Sequence, residues 1–363
     1  MRSARDRQRG LKIVALGGGT GLPVLLRGLK RSLAEVDSLT AIVTVSDDGG
    51  SSGRLRRDFN VLAMGDIRNC LVALSENEPL MSRLFQYRYP GHKGLAGHSA
   101  GNLILTALAA CSRSWLKAIE TSGEVLAIRG RILPATLENV VLRARLENGR
   151  RVSGESRISR STSRIIDLTT DPPLPPPAPG LLTALREADL IVLGPGSLFT
   201  SVLPNLLVRG VAGEIARSRA ARVLVGNLMT QPGETDDFTS ADHLEAIASI
   251  AGRGLLDYYL ANGSAIRPQL CRRYAADGAR PVRFERGPIE RVGVVPVIRD
   301  LLSKDPALLK IRHHEGKLAR ALLSIACRHQ GIHATPTPRA ARTTRRSRSP
   351  RRSPHRSRSP RAA

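Results

Sequence analysis

The four cysteines, Cys70, Cys111, Cys271 and Cys327, form no C-x-x-C pair. Three of them lie in apolar helical surroundings, so buried thiols explain them better than a metal centre or a catalytic thiol. No apolar run approaches the ~20 residues of a membrane span. The basic start, Met1 to Arg9, passes straight into a strand pattern without the apolar stretch of a signal peptide. No internal repeat of fixed period occurs. These absences predict a soluble, cytoplasmic protein. Acidic residues are scarce too: 31 stand against 56 Lys and Arg, a net charge of +25. Ten of the arginines and no acid lie beyond Pro336. What remains is still basic, which suits an anionic small molecule as well as a nucleic acid.

The densest signal is Leu16-Gly17-Gly18-Gly19-Thr20-Gly21-Leu22-Pro23. It joins an apolar run, Ile13 to Leu16, to an amphipathic pattern of Leu22, Leu25, Leu26, Leu29 and Leu33. A strand that turns through glycines into a helix points unpaired N–H groups at one spot, where the helix dipole also favours negative charge. Thr20 can supply a capping oxygen, and Pro23 suits the first turn. Neither the dinucleotide fingerprint nor the Walker pattern fits, because Leu22 stands where glycine or lysine is needed. A phosphate loop and a purely structural turn both remain open.

Similar chemistry recurs along the chain. Thr40 to Val45 is a β-branched run ending in the polar cluster 46–54, which contains Asp47 and Asp48 and reads as a loop. Asp66 can cap a helix from Ile67 to Ser75. The cluster 97–102 opens another helix. Residues 139–159 alternate apolar and polar around Glu147-Asn148-Gly149-Arg150, which predicts an inserted β-hairpin. Residues 171–180 are proline-rich and read as a stiff connection. Strand-like Asp189 to Leu193 runs into Gly194-Pro195-Gly196-Ser197, and Arg222 to Val225 runs into Asn227 to Thr235. Further strands at 256–261 and 292–298 and a helix at 315–329 complete an alternating order. That order predicts a doubly wound α/β fold with a mainly parallel sheet. Residues 334–363 hold no aliphatic larger than alanine and predict a disordered tail, read as a solvated extension with only non-specific affinity for nucleic acid, with an RNA-binding arm as the alternative.

Four polar loops converging on one sheet edge suit a large phosphorylated ligand. The segments Leu16 to Leu22, Val45 to Arg56, Gly65-Asp-Ile-Arg-Asn-Cys-Leu, His98-Ser-Ala-Gly-Asn-Leu, Gly194-Pro-Gly-Ser-Leu-Phe-Thr-Ser and Asn227-Leu-Met-Thr-Gln-Pro-Gly-Glu-Thr resemble the bacterial YvcK family. This gluconeogenesis-factor group is related to CofD, the 2-phospho-L-lactate transferase of coenzyme F420 synthesis. The resemblance spans Lys12 to His329.

The resemblance implies a Rossmann-like three-layer α/β/α domain over 11–333; residues 1–10 and 334–363 lie outside it and are expected to be disordered. It implies a UDP-sugar site of the UDP-N-acetylglucosamine kind and a regulatory role linking carbon metabolism to cell-wall synthesis and cell shape, with an unidentified protein partner and a homo-oligomer as candidates. A CofD-like phosphotransferase using Mg2+ is the alternative. No catalytic residue is assigned.

Gly18, Gly19, Thr20 and Gly21 would meet the diphosphate, with Gly196, Ser197 and Thr200 as a second cradle. Asp47 and Asp48 are candidates for a divalent cation or a sugar hydroxyl, or for turn caps. Arg68 and Asn69 suit a phosphate or sugar, although Arg68 could instead pair with Asp66 or Asp48. His98 and Asn102 look like sugar or phosphate contacts. Asn227 and Gln231, with Glu234, would line the sugar pocket or cap a turn. Tyr274 would stack on the uracil or pack a surface turn, and Arg312 would reach the base carbonyls. His314 departs from the family, where Asp is usual after the residue matching His313; this puts a metal or regulatory role there in doubt.

Overall fold

The computed structural model describes residues 10–32, 35–303, 305 and 310–331. The expectations for the basic start, Gly10 excepted, and for the tail lie outside these residues. The main strands are β1 (Leu11–Gly17), β2 (Val36–Val43) and β3 (Arg131–Pro134). An insert supplies β4 (Val141–Leu146), β5 (Arg151–Ser153) and β6 (Ile165–Asp171). The main sheet continues with β7 (Leu190–Leu193), β8 (Ala221–Val225), β9 (Tyr258–Asn262) and β10 (Val295–Arg299).

The helices of the first half are α1 (Gly21–Lys30), α2 (Gly50–Phe59), α3 (Gly65–Leu74), α4 (Glu78–Gln86), α5 (Ala100–Ser112), α6 (Trp115–Val125) and α7 (Glu155–Ile158). Those of the second half are α8 (Leu181–Glu187), α9 (Leu203–Leu206), α10 (Val211–Arg217), α11 (Ser240–Ala251), α12 (Pro268–Ala276), α13 (Arg286–Arg291) and α14 (Glu315–His329).

The seven-stranded sheet runs β10-β9-β8-β7-β1-β2-β3, and every pairing in it is parallel. A parallel sheet needs both faces covered, and the two-residue period of β1 divides its side chains accordingly. Ile13 and Ala15 join a core with Leu22 and Leu25 of α1 and Leu318 and Leu322 of α14. Val14 and Leu16 join the opposite core with Leu185 of α8, Leu203 of α9 and Ile215 of α10. The result is the expected three-layer α/β/α arrangement.

Three boundaries differ from the sequence reading. The cluster 46–54 is a loop only as far as Gly49, because Gly50 to Arg54 form the first turns of α2. The insert is a three-stranded antiparallel sheet, order β5-β4-β6, extending well past Ser159. β6 follows the polar run Ser159 to Ser163, which breaks the alternation on which a hairpin assignment rests. Asp171 accordingly closes β6 and pairs with Val141 instead of opening the proline-rich connection.

Helix α14 returns to lie on α1. Their contact is close enough that a Cβ built on Gly28 would stand 2.3 Å from the carbonyl oxygen of Glu315. Glycine to alanine inside a helix ordinarily gains about 1 kcal/mol. Here overpacking against backbone dominates, and Gly28→Ala should lose about 1–3 kcal/mol. A urea midpoint that rises on this substitution would contradict the packing described.

Candidate functional site

β1 is flanked by β2 on one side and β7 on the other, so the loops leaving β1 and β7 open a crevice at the carboxyl edge of the sheet. The two loops touch. A Cβ on Gly21 would lie 2.2 Å from the Pro195 carbonyl oxygen, and one on Gly196 would lie 3.3 Å from Ser201 Cβ. A Cβ on Gly18 would collide with Thr44 Cγ2 at 2.5 Å and Asp66 Oδ2 at 2.6 Å. These glycines are needed for approach. Thr20 stands at the N-cap of α1 but makes no side-chain cap hydrogen bond, and its exposed side chain faces solvent.

The Gly19 N–H of the cradle donates to Asp66 Oδ2 at 2.6 Å. Asp66 therefore does not cap α3; it sits in that helix's first turn after Met64. Burial raises its pKa to about 6 against the lowering effect of the Gly19 bond, with Asp47 raising it further and Arg68 lowering it. An anion at the glycine loop thus meets a carboxyl group already in place.

Arg68, two residues along the same helix, is buried. Its Nη1 donates to Ser99 Oγ at 2.6 Å and to Asn102 Oδ1 at 3.1 Å, and its Nη2 donates to Asn69 Oδ1 at 3.0 Å. Its Nε is buried without a partner. It forms no ion pair with Asp66 or Asp48. Asn102 Nδ2 reaches Ser52 Oγ at 3.4 Å, and Ser51 Oγ meets His98 Nδ1 at 3.1 Å. Burial, then Arg54, pushes the His98 pKa down, with Asp58 opposing. Residues 51–52, 68–69 and 98–102 form one polar cluster.

Asp47 and Asp48 diverge. Asp47 Oδ1 accepts the Gly49 N–H at 2.8 Å. Asp48 Oδ1 accepts from the N–H of Ser156 at 2.9 Å and from its hydroxyl at 2.7 Å. Both carboxylates act as turn or helix caps. Among the described residues no three His, Cys, Asp or Glu side chains are grouped to hold a metal ion. The Asp47–Asp48 pair does not fit Mg2+ as arranged.

The insert closes the crevice. Ser46 Oγ donates to Glu155 Oε2 at 3.3 Å, and Ser159 Oγ donates to Glu234 Oε1 at 2.9 Å. Glu234 also accepts from Ser197, whose own oxygen accepts from the Thr200 hydroxyl at 2.7 Å. Glu234 thereby joins the second glycine loop to the loop after β8. Burial is the main cause that lifts Glu155 to about 9, followed by Asp66, Asp47 and Glu234, while the Ser46 bond opposes. Burial likewise raises Glu234. Neither Asp66 nor Glu155 was selected from sequence as a site residue. Asp66 lies inside the quoted Gly65-Asp-Ile-Arg segment, but Glu155 is revealed only by its contact with Ser46, 109 positions away.

The remaining selected residues stand farther along the edge. Asn227 lines a cavity of about 270 Å³ with Tyr259, Asn262 and Cys271. Gln231 donates its N–H to Thr235 Oγ1 at 2.9 Å, while its side-chain Oε1 is buried without a partner. Tyr274, on α12, accepts the Ile311 N–H at its hydroxyl at 3.1 Å. Arg312 follows, lining a second cavity of about 550 Å³ with Val24 and Arg27 of α1. Burial lowers His313 to about 4, opposed by the Gly226 carbonyl. Tyr274 and Arg312 are thus neighbours, but neither is hydrogen-bonded to the glycine loops. Another cavity of about 550 Å³, between α11 and α13, contains none of the selected residues.

The raised Glu155 pKa fixes a stability trend. The folded protein keeps the proton up to about pH 9, whereas an unfolded chain releases it near ~4.3. The contribution is full below the unfolded value and is lost as pH rises toward the folded one. Glu155→Gln should therefore unfold at higher urea than the parent, with a gap that widens from pH 5 to pH 8. A gap independent of pH would remove the assigned burial cost.

The geometry has a counterpart among known proteins. The profile of the family described as 2-phospho-L-lactate transferase CofD matches residues 13–302. A "Gluconeogenesis factor" of Bacillus subtilis is 45% identical over 86% of this chain and 98% of its own length. One from Listeria innocua is 45% identical over 86% of this chain and 95% of its own. A solved structure from Bacillus halodurans superposes with a TM-score of 0.82 at 42% identity, covering 87% of this chain and 99% of that one. Taken with the crevice at the β1–β7 switch, these likenesses show that the chain belongs to the CofD family, in its gluconeogenesis-factor (YvcK) group.

Proposed function

We propose that the protein is a cytoplasmic UDP-sugar-binding regulator, linking carbon metabolism to cell-wall synthesis and cell shape. The observation that carries this reading is Arg68. It is a buried guanidinium held only by neutral oxygens of Ser99, Asn102 and Asn69, beside two glycine loops pressed together. A buried cation without an anionic partner is costly, and a phosphate group would supply the missing charge bidentately. The diphosphate would sit over Gly18 to Gly21 and Gly196 to Thr200. The sugar would lie toward His98, Asn227 and Gln231, and the uracil toward Tyr274 and Arg312. Binding shifts the population toward a closed form to the extent that the ligand prefers it, and a protein partner reads the difference.

A CofD-like phosphotransferase is the second reading, favoured by the family's description alone. Magnesium-dependent consumption of a nucleotide-linked phosphoester, lost in Asp48→Asn, would promote it.

Titration calorimetry with UDP-N-acetylglucosamine, UDP-glucose and GDP tests the first reading. The uridine nucleotides should bind preferentially, and Tyr274→Ala and Arg312→Ala should each weaken them by about 1–3 kcal/mol, the size of a lost base stack. No binding of any uridine nucleotide would sink it. Asp66 adds a pH signature. Because its pKa is about 6, its charge repels the diphosphate above that pH and is neutralised below it, so affinity should rise from pH 8 to pH 5.5. Asp66→Asn should flatten the profile; an unchanged slope would remove Asp66 from the phosphate site.

A further inference from the structure

From Pro79 to Ile119 the sequence contains no aspartate or glutamate, while Arg83, Arg88, Lys93, Arg113 and Lys117 fall within it. The same stretch exposes large apolar side chains: Leu80 at 43%, Leu84 at 47%, Tyr87 at 50%, Leu95 at 53% and Ile104 at 37%. Leu80, Leu84 and Tyr87 are spaced i, i+4, i+7, so they form one outward stripe on α4 and its cap. Met81 and Phe85, on the opposite stripe, pack into the core.

Helix α5 has no charged residue from Ala100 to Ser112. Its exposed positions include Ile104, Ala107, Ala110 and Cys111. A helix on a protein's surface normally turns a charged face to water; one that is apolar all round is normally covered. Helices α4 and α6 each pack along α5. The exposed Ala107 and Ala110 are small beside Leu80, Leu84 and Tyr87 of the neighbouring α4, and a helix packs into the step between a high and a low row of side chains, here called the channel.

We propose that this face of α4 and α5 docks an amphipathic helix of a partner protein, with an apolar stripe for the channel and an acidic rim for Arg83, Arg88 and Lys93. A second copy of the chain would bring the same cations against one another, and like charges opposed across an interface are repelled. An anionic lipid surface would satisfy the charges but is flat, and leaves the low alanine row unused. The channel also ends at the crevice: Ser99 and Asn102, at the N-terminal end of α5, hold Arg68. Coupling between partner and nucleotide sugar rests on the proposed function, whereas docking does not.

The test places a photo-crosslinking amino acid at position 84 or 107 of the full chain in living cells, with position 174, exposed and distant in sequence, as control. The captured peptide should be helix-forming, with an apolar stripe flanked by Asp or Glu. The purified partner should bind at least tenfold more weakly to Leu84→Asp and to Arg88→Glu. The parent interaction should weaken with salt. Both variants should keep the parent's unfolding midpoint; Leu84→Asp should also keep its UDP-sugar calorimetry, whereas the charge of Arg88 acts on Arg68 and its reversal is read on partner binding alone.

A crosslink to a second copy of the chain would overturn the proposal. So would a captured peptide without acidic residues, or products no different from those at position 174. Co-sedimentation with phosphatidylglycerol vesicles that is lost in Leu84→Asp would assign the face to a membrane instead. Failure of the calorimetry alone would remove the nucleotide-sugar reading and leave the channel standing.

Discussion

The crevice depends on a close approach between two stretches of backbone. The first glycine loop lies so near the Pro195 carbonyl that no side chain fits at Gly21. Because β1 sits between β2 and β7, the two loops share one edge, and only glycine lets them meet. That contact places the N-terminal end of α1 beside the π-helical turn Leu198–Val202. The positions of Asp66, Thr200 and Glu234 follow from it, since each bonds to one loop or the other.

Charge in this region is arranged unusually. The buried arginines, Arg56 and Arg68, are held by neutral groups: Arg56 by the carbonyls of Ser46, Asp47 and Val140, and Arg68 by hydroxyl and amide oxygens. The buried carboxyl groups, Asp66, Glu155 and Glu234, accept from backbone N–H groups and hydroxyls. Opposite charges are thus near one another without being paired. Burial then weakens the charged form of each group, as the raised acids and lowered arginines indicate. Such an arrangement leaves affinity for an incoming anion and sensitivity to protons in one place.

Much of the fold was legible because local chemistry and tertiary structure agree. The strands at 190–193 and 221–225 and the helix at 315–329 carry clear apolar patterns, and the turn at Gly149 fits a glycine at φ 80°. What was not legible depends on distance in sequence. Strand β6 has no pattern that survives the preceding polar run. The cluster 46–54 looked like loop because Gly, Ser and Asp favour turns, yet Ser51, Ser52 and Gly53 are buried within α2, where packing overrides propensity. Within the site, the glycine, serine and asparagine positions were visible as motifs. The partners of Asp48 and Ser46 were not, because Ser156 and Glu155 arrive from an insert about a hundred residues later.

The insert gives the crevice a temporal property. The residues bonded around it are as far apart as Gly19 and Glu234, and the insert that bonds to both flanks is made midway. Chains fold largely from the N-terminal end as they emerge during synthesis. The glycine loop, although nearly first in sequence, must wait for the insert, then for its facing loop, and last for Glu234. A pocket assembled in that order exists only on chains made past Glu234. A ligand held there would report on such chains and be blind to shorter fragments.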